Sequence, residues 1–191
     1  MVGIGYSVFG VLGFLGILFF SQKLPMGSSQ KNLEPFFRFD NLFKKYASEY
    51  GVKNWLWLKA ICMNESSLGS YPSVAHGLLY PWDIEKSKSQ DGKSWGIMQV
   101  TVTTAQTMDP SADAVKLNNA EYSVKLGAWY ISKLQKMFAQ SDPRYLEWVI
   151  KSYNQGPGNT KKEMQGSSSG FAHEYWDRFK RNLERAKNGS N

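Results

Sequence analysis

Glu65 is the residue whose type and position best fit chemistry in this sequence. It follows an apolar run, residues 55–63, and precedes Ser66 and Ser67. A carboxyl group at the end of a buried helix is partly removed from water, which raises its pKa and keeps it protonated near neutral pH. Such a group can protonate a leaving oxygen and later take a proton back. The alternative is a solvated glutamate at a helix C-terminus, where the helix dipole disfavours negative charge.

Two further segments have compositions suited to ligand binding. Residues 96–100 read GIMQV, in which the glycine lets the backbone approach a ligand and the glutamine offers a donor and an acceptor. Residues 153–158 read YNQGPG and place hydrogen-bonding side chains where a helix ends. Ordinary structure is the alternative for both, an apolar turn before a helix and a helix C-cap respectively. We predict that both segments converge with Glu65 on one cleft.

The elements that must position these residues are mainly helices, because apolar residues recur at helical spacing between cap residues. We predict helices over residues 40–50, 54–65, 101–108, 111–116, 119–139, 142–153 and 171–187. Asp40 is the predicted N-cap of the first helix and Gly51 its end, while Asp142 and Pro143 are a predicted cap and first-turn proline. The second helix is apolar on nearly every side and is therefore predicted to lie at the centre of the core.

The remaining segments of this part of the chain are predicted to be loops. Residues 66–95 have no helical period and form a long excursion, with a small hairpin around 77–84. Loops of this length in compact domains are usually functional. Residues 159–170 are polar and end in GSSSG. The predicted fold class is mostly α, as a single globular helical domain with a long cleft loop.

The N-terminal residues differ in composition from the rest. Residues 2–20 contain no charge and are long enough to cross a bilayer. A cleaved signal peptide is the alternative, but no basic residue precedes the run and no small-residue cleavage site follows it. We predict a transmembrane anchor over 1–21, a polar linker over 22–38 and the globular domain over 39–187. The basic residues after the run would hold the domain in the cytoplasm by the positive-inside rule, although large domains can cross regardless of charge.

Charge and cysteine content limit the partners. The net charge is +7 and the pI about 9.4, which suggests an anionic neighbourhood such as a membrane surface or a polyanionic cell wall. The basic residues are scattered, so we predict no nucleic-acid binding. Cys62 is the only cysteine, so no intramolecular disulfide can form. Together with His76 and His173 it offers too few ligands for an ordinary zinc site, and we predict neither metal nor cofactor.

The combination of these motifs resembles a known family. The order and spacing of ESS at 65–67, GIMQ at 96–99 and YNQGPG at 153–158 are similar to those of the soluble-type lytic transglycosylases, relatives of goose-type lysozyme. The family pattern reads roughly Glu-Ser, Gly-Leu-Met-Gln and Ala-Tyr-Asn-Ala-Gly. A late segment, YWDRF at 175–179, resembles the family's Tyr-Val-x-Arg-Val. The resemblance extends over about residues 40–182 and implies a lysozyme-like fold.

The resemblance also implies an activity, a peptidoglycan lytic transglycosylase with Glu65 as the sole catalytic acid and base. It would cleave the bond between N-acetylmuramic acid and N-acetylglucosamine, and the muramic 6-hydroxyl would attack its own anomeric carbon. Peptidoglycan glycan strands would be the partner, and the product would carry a 1,6-anhydro end. The substrate-binding residues that the resemblance implies are Ser66, Met98, Gln99, Tyr153, Asn154 and Tyr175.

Each of these residues has an implied place. Met98 and Gln99 would line the sugar sites, and Ser66 would hold the segment that follows it. Tyr153 would lie near the acid, with its neighbour fixing that turn. Tyr175 would close the cleft from the last helix.

The sequence also departs from the family pattern. Lys151 and Ser152 stand where small apolar residues are usual, and Gln155 stands where a small residue precedes the glycine. Asp83 or Asp91 could position a water, so goose-type muramidase hydrolysis is one alternative. An inactive wall-binding or virion structural protein is another. An anchored wall-cutting enzyme would fit a bacterial envelope machine, or a phage virion protein carried in an internal viral membrane.

Overall fold

The computed structural model describes residues 36–69, 88–89, 92–166 and 171–189. Helices dominate these ranges, as predicted, and two short strands accompany them. In chain order the elements are α1 (Asp40–Tyr50), α2 (Trp55–Ser66), β1 (Ser94–Trp95), β2 (Val100–Thr101), α3 (Val102–Gln106), α4 (Ala114–Leu117), α5 (Ala120–Gln135), α6 (Tyr145–Gln155), α7 (Pro157–Met164) and α8 (Phe171–Asn188).

The first two helices begin and end at residues with local physical reasons. Gly51 ends α1 in the left-handed conformation at φ 69°, as predicted. Asn54 caps α2 by accepting a hydrogen bond from the Leu56 backbone N–H. The prediction that Asp40 caps α1 is wrong, because Phe39 holds the N-cap position. The Asp40 carboxylate instead lies 2.9 Å from Nζ of Lys59. Lys59 is fully buried, and the prediction of an apolar core helix did not anticipate a buried lysine.

Helix α2 is the central core helix, as predicted. Its residues 57–64 are all buried, and it packs against α8 on one side and α1 on the other. Helix α1 also packs against α5, and α6 packs against α8, α7 and α5. On α8, Tyr175, Phe179 and Leu183 are buried at the predicted spacing of four residues. This arrangement brings the C-terminal end of α2 against the first turns of α8.

A hairpin whose strands have two residues each holds the GIMQV segment. Strands β1 and β2 pair antiparallel, with Ser94 opposite Thr101 and Trp95 opposite Val100. The turn begins at Gly96, which has φ 74° and where an added Cβ would lie 1.9 Å from the Leu117 carbonyl oxygen. Only glycine fits this position. The predicted hairpin around 77–84 lies outside the described residues.

Two boundaries near the third motif differ from the predictions. Helix α6 begins at Tyr145, later than predicted, because Asp142 accepts a hydrogen bond from the Arg144 backbone N–H in a turn that precedes the helix. Residues 159–164, predicted as loop, belong to α7. Gly156, at φ 80°, does end α6, but Pro157 then occupies the first turn of a new helix, where its missing N–H has no cost.

The membrane prediction concerns residues that the structure does not describe. The predicted span over 1–21 and most of the predicted linker lie outside the described residues. Within the described ranges, no helix combines the length and the apolar character needed to cross a bilayer.

Candidate active site

A cavity of about 440 Å³ lies where the three sequence motifs meet. Its walls carry mainly hydroxyl and amide groups, together with the phenol rings of Tyr130 and Tyr153. Among the described residues that line it, Glu65 is the only carboxylate, and no lysine or arginine lies among them. Neutral hydrogen-bonding groups beside aromatic faces suit an uncharged polyhydroxylated ligand such as a glycan.

Glu65 reaches the cavity because α2 ends directly after it. Ser67 and Leu68 both adopt left-handed backbone conformations, at φ 50° and 58°, which stop the helix and turn the chain away. Glu65 is half-buried, and the Tyr175 hydroxyl donates a 2.5 Å hydrogen bond to its Oε1. Burial raises the pKa of Glu65 from 4.5 to about 7, although the hydrogen bond from Tyr175 and the charge of Arg178 act in the opposite direction.

Tyr175 is itself held in place from α2. It is 2% exposed, and the Asn64 side-chain amide donates to its backbone carbonyl at 3.1 Å. Asn182, two turns further along α8, donates to Asn64 Oδ1 at 2.7 Å. Burial and the nearby Glu65 raise the pKa of the Tyr175 phenol well above its usual value. Tyr175 therefore remains a hydrogen-bond donor to Glu65 across the range in which proteins work.

The backbone of residues 96–99 is held by groups from three helices. The Ser66 hydroxyl donates to the Ile97 carbonyl at 2.7 Å, and the Tyr153 hydroxyl donates to the Met98 carbonyl at 2.8 Å. The Ser123 hydroxyl accepts from the Met98 N–H at 3.1 Å. These bonds hold the turn against α2, α5 and α6 and so fix the position of the residue that ends it.

That residue is Gln99, and its backbone is in an uncommon conformation. Its φ is 48°, which costs a non-glycine residue free energy. Its side-chain amide donates to the Gly96 carbonyl at 2.7 Å, which closes the turn on itself. Strained conformations of this kind persist where surrounding contacts overdetermine them, and they concentrate at ligand sites.

The predicted site residues divide into two groups. Glu65, Gln99, Tyr153 and Asn154 line the cavity together. Ser66, Met98 and Tyr175 are buried behind it, and their contacts support the residues that line it. The Met98 side chain is fully buried against α5, where a Cβ added to Gly127 would lie 2.8 Å from its Cε. Met98 thus fills the core, and the prediction that it lines the sugar sites does not match its position.

Several cavity residues were not among the predicted ones. They include Ser94, Thr101, Thr104 and Tyr130, whereas Gln155 and Gly156 belong to the YNQGPG segment that was predicted to reach the cleft. Tyr130 lies on α5, within the helix that the sequence predicts over residues 119–139. Its polar hydroxyl on an inward face was the available signal. The threonines belong to the cap of the short helix α3, which had no ligand-binding signature of its own. Asp83 and Asp91, the candidate second carboxylates, lie outside the described residues.

Comparison with known families agrees with the arrangement of the three motifs. The model of the transglycosylase SLT domain matches residues 41–175, about seven-tenths of the chain. The chain therefore belongs to the transglycosylase SLT domain family, and the sequence-based resemblance is confirmed. No curated protein sequence matches the chain. Membership of this family implies a glycan-cleaving activity of the lytic transglycosylase type, with peptidoglycan as the substrate.

Proposed function

We propose that this protein cleaves the β-1,4 bond between N-acetylmuramic acid and N-acetylglucosamine in peptidoglycan, with formation of 1,6-anhydro ends. Glu65 is the acid and the base of the reaction. The observation that carries the proposal is the state of this carboxyl group. It is the only one among the described cavity residues, its pKa is raised to about 7, and it accepts a hydrogen bond from a buried tyrosine.

In the first step the protonated Glu65 donates its proton to the glycosidic oxygen. The bond between that oxygen and the muramic anomeric carbon breaks, and the N-acetylglucosamine side leaves as an alcohol. A carboxylic acid with a pKa near the working pH is well suited to this transfer. The carboxylate that remains is stabilised by the Tyr175 hydroxyl and lies beside the positive charge that develops on the muramic ring.

In the second step the Glu65 carboxylate takes the proton of the muramic 6-hydroxyl. That oxygen forms a bond to the anomeric carbon of the same sugar, which closes the 1,6-anhydro ring. Glu65 is protonated again and ready for another turnover, and no water is consumed. One carboxyl group serves both steps, whereas a hydrolase that inverts needs a second carboxylate to activate water.

The cavity walls would orient the glycan. Gln99 and Asn154 offer amide groups, and Tyr130 and Tyr153 offer ring faces against which a sugar can lie. Tyr153 is best regarded as a positioning residue for the GIMQ turn, because its hydroxyl is bonded to the Met98 carbonyl. Ser66, Met98 and Tyr175 would act from behind the cavity, through the turn and through Glu65.

The test compares purified Glu65→Gln with the unchanged protein on isolated peptidoglycan. Glutamine keeps the size of the side chain but cannot donate a proton to the leaving oxygen, so we expect the release of soluble fragments to stop. Glu184→Gln is the matched control, because Glu184 is an exposed residue of α8 whose partner is Lys187. Undiminished release by Glu65→Gln would refute the assignment of Glu65.

Mass spectrometry of the fragments decides which reaction takes place. Fragments with anhydro ends, lighter by one water than reducing ends, support the transglycosylase. Reducing ends would support the muramidase alternative, with Asp83 or Asp91 as the residue to substitute next. Binding to peptidoglycan without any cleavage would support an inactive wall-binding or virion structural protein.

The setting is a separate proposal that rests on composition. We propose that residues 2–20 hold the protein in a membrane, either facing the periplasm in a bacterial envelope or inside a phage virion. The charge-free apolar run and the basic, scattered surface charge support this proposal. Alkaline carbonate extraction tests it, because an integral anchor resists extraction whereas a peripheral protein is released. A mature protein that begins after residue 20 would refute the anchored form.

A further inference from the structure

Three of the described tyrosines lie at the site, and their hydroxyl groups differ in what they contact. The Tyr153 hydroxyl donates to the Met98 carbonyl at 2.8 Å, and the Tyr175 hydroxyl donates to Glu65 Oε1 at 2.5 Å. Tyr130 of α5 also lines the cavity, but its hydroxyl has no hydrogen-bond partner in the part of the chain that the structure describes. Of these three phenol groups, the Tyr130 hydroxyl is therefore the one that a ligand can engage without breaking a bond inside the protein.

Packing fixes where this hydroxyl lies. Tyr130 is half-buried, and its ring lies against that of Tyr153, with the centroids 5.5 Å apart and the planes tilted by 51°. Ala128 and Ile131, its neighbours on α5, are fully buried in the core and hold the helix at this point. Burial also raises the pKa of the Tyr130 phenol, so the hydroxyl keeps its proton and can donate a hydrogen bond across the range in which proteins work.

Other tyrosines on the same two helices show how the fold uses a phenol hydroxyl. The Tyr122 hydroxyl on α5 donates to Asp109 Oδ2 at 2.7 Å, and the Tyr145 hydroxyl on α6 donates to the Gln135 carbonyl at 3.2 Å. A half-buried hydroxyl without such a bond gains nothing for folding over phenylalanine, because its partial desolvation is not offset inside the protein. The stability of the described fold thus gives no reason for tyrosine rather than phenylalanine at position 130.

The surroundings of the hydroxyl indicate the kind of ligand. Apart from Glu65, the described side chains that line the cavity are uncharged, so a phenol O–H placed among them suits a neutral oxygen acceptor. The neighbouring Tyr153 ring supplies an apolar surface beside this donor, a combination that suits a sugar. N-acetylated sugars present two kinds of neutral acceptor, the hydroxyl oxygens and the acetamido carbonyl oxygen.

We propose that Tyr130 is a substrate-contacting residue whose hydroxyl donates a hydrogen bond to an oxygen atom of the bound glycan, either a hydroxyl or an acetamido carbonyl. The proposal rests on the proposed function insofar as it takes the ligand to be peptidoglycan glycan. It adds to the site a polar contact from α5, outside the three motifs that carry Glu65, Gln99 and Asn154. It also separates two roles of one side chain, the ring that packs against Tyr153 and the hydroxyl that binds the ligand.

Tyr130→Phe tests the contact, because it keeps the ring and its packing and removes only the hydroxyl. Loss of one neutral hydrogen bond weakens binding by roughly 3- to 10-fold. On soluble peptidoglycan fragments we therefore expect KM to rise by about that factor while kcat stays within about twofold. Tyr50→Phe is the matched control, because Tyr50 is also half-buried but lies on α1 and does not line the cavity, so its KM should not change. An unchanged KM in Tyr130→Phe would overturn the contact.

Thermal unfolding distinguishes a ligand contact from a structural role of the hydroxyl. Because the described fold makes no bond to it, the melting temperature of Tyr130→Phe should equal or exceed that of the unchanged protein. A lower melting temperature together with a raised KM would mean that the hydroxyl supports the fold, and the proposal would then be wrong.

Calorimetry in the Glu65→Gln background measures binding without turnover. With the same fragments, Tyr130→Phe should bind roughly 3- to 10-fold more weakly. Fragments from which the acetyl groups have been removed identify the acceptor. If Tyr130→Phe still weakens the binding of these fragments, the acceptor is a sugar hydroxyl, and if the weakening disappears it is the acetamido carbonyl; either result supports the contact.

The outcomes also separate this inference from the proposed function. Weaker binding by Tyr130→Phe supports the contact even if the unchanged protein fails to cut peptidoglycan, a failure that would refute only the proposed function. If the unchanged protein cuts peptidoglycan but Tyr130→Phe alters neither KM nor binding, only the present inference fails.

Discussion

Replacing Tyr175 by phenylalanine should move the pH dependence of the reaction toward alkaline pH. The Tyr175 hydroxyl donates to Glu65 Oε1 at 2.5 Å, and this bond favours the charged carboxylate. In the proposed mechanism the first chemical step needs Glu65 protonated, so kcat should fall as pH rises through a pKa of about 7. Without the hydroxyl, the carboxylate loses stabilisation while the burial that raises the pKa remains. The alkaline limb of the curve of kcat against pH should therefore shift to higher pH.

The magnitude follows from the strength of the lost bond. A hydrogen bond to a charged group contributes about 1.5–3 kcal/mol, and about 1.4 kcal/mol corresponds to one pKa unit. Water entering the vacated space and the nearby charge of Arg178 both recover part of this loss. We therefore expect the limb to move by about one unit, from near 7 to near 8.

The assay is kcat against pH between 5 and 9 on soluble peptidoglycan fragments, for the unchanged protein and for Tyr175→Phe. Titration of Glu65 by NMR, followed through its labelled side-chain carboxyl carbon, gives the same pKa without turnover. Tyr153→Phe is the control, because the Tyr153 hydroxyl bonds to the Met98 carbonyl rather than to Glu65. It should lower activity without moving the limb. A limb that stays in place or moves to lower pH in Tyr175→Phe would refute the reasoning.

Three further predictions concern stability. The raised pKa of Glu65 means that the folded protein binds the proton more tightly than the unfolded chain, so an ionised Glu65 lowers the free energy of unfolding above pH 7 and a protonated one does not below pH 4. Urea unfolding of Glu65→Gln should therefore show a free energy of unfolding higher by at most about 3 kcal/mol at pH 8 and nearly unchanged at pH 4. Gly96→Ala should lower the free energy of unfolding by at least about 2 kcal/mol, because position 96 has a positive φ and an added Cβ would meet a backbone carbonyl. Gly158→Ala, where the added Cβ has open space around it, should be neutral or stabilising, and equal shifts in the melting temperature of the two variants would contradict this. Asp40→Ala should lower the free energy of unfolding by about 3 kcal/mol, because the buried Lys59 then lacks its carboxylate. Adding Lys59→Met should return the free energy of unfolding, measured by chemical denaturation, to within about 1 kcal/mol of the unchanged protein, and a double variant as unstable as the single one would refute the account.

The helices could be predicted from sequence where their ends carry local signals. Asn54 and Gly51 form their capping hydrogen bonds with residues two or three positions away, so the local sequence alone predicts these helix ends. The reading failed where one residue type serves two purposes. Pro157 follows a glycine and was taken as part of a helix end, but a proline in the first turn is equally a helix start. Only the packing of α7 against α6 decides between the two.

The hairpin and the buried lysines could not be predicted because they depend on distant partners. Strands of two residues are too short for an alternating pattern, and their pairing is fixed by the Gly96 turn against α4. Lys59 and Lys151 read as surface residues until Asp40 and Glu163 are placed beside them. The sequence predicted that Glu65 reaches the cleft, because the end of an apolar helix can be recognised from its residues. The resemblance placed Met98 along the cleft, but its side chain fills the gap above a glycine of α5 instead.

In the proposed mechanism one carboxyl group serves two opposite steps, and the surroundings of Glu65 suit both. An acid that was only buried would hold its proton too tightly to return as a base, and a fully solvated one would hold no proton near neutral pH. At Glu65 the end of α2 removes water, while Tyr175 on α8 stabilises the charged form by a single bond. The two effects oppose each other and leave the pKa near 7, where donating and accepting a proton are of similar difficulty. In the proposed mechanism the packing of α2 against α8 therefore sets the balance between the two steps, because it holds the tyrosine that offsets the effect of burial.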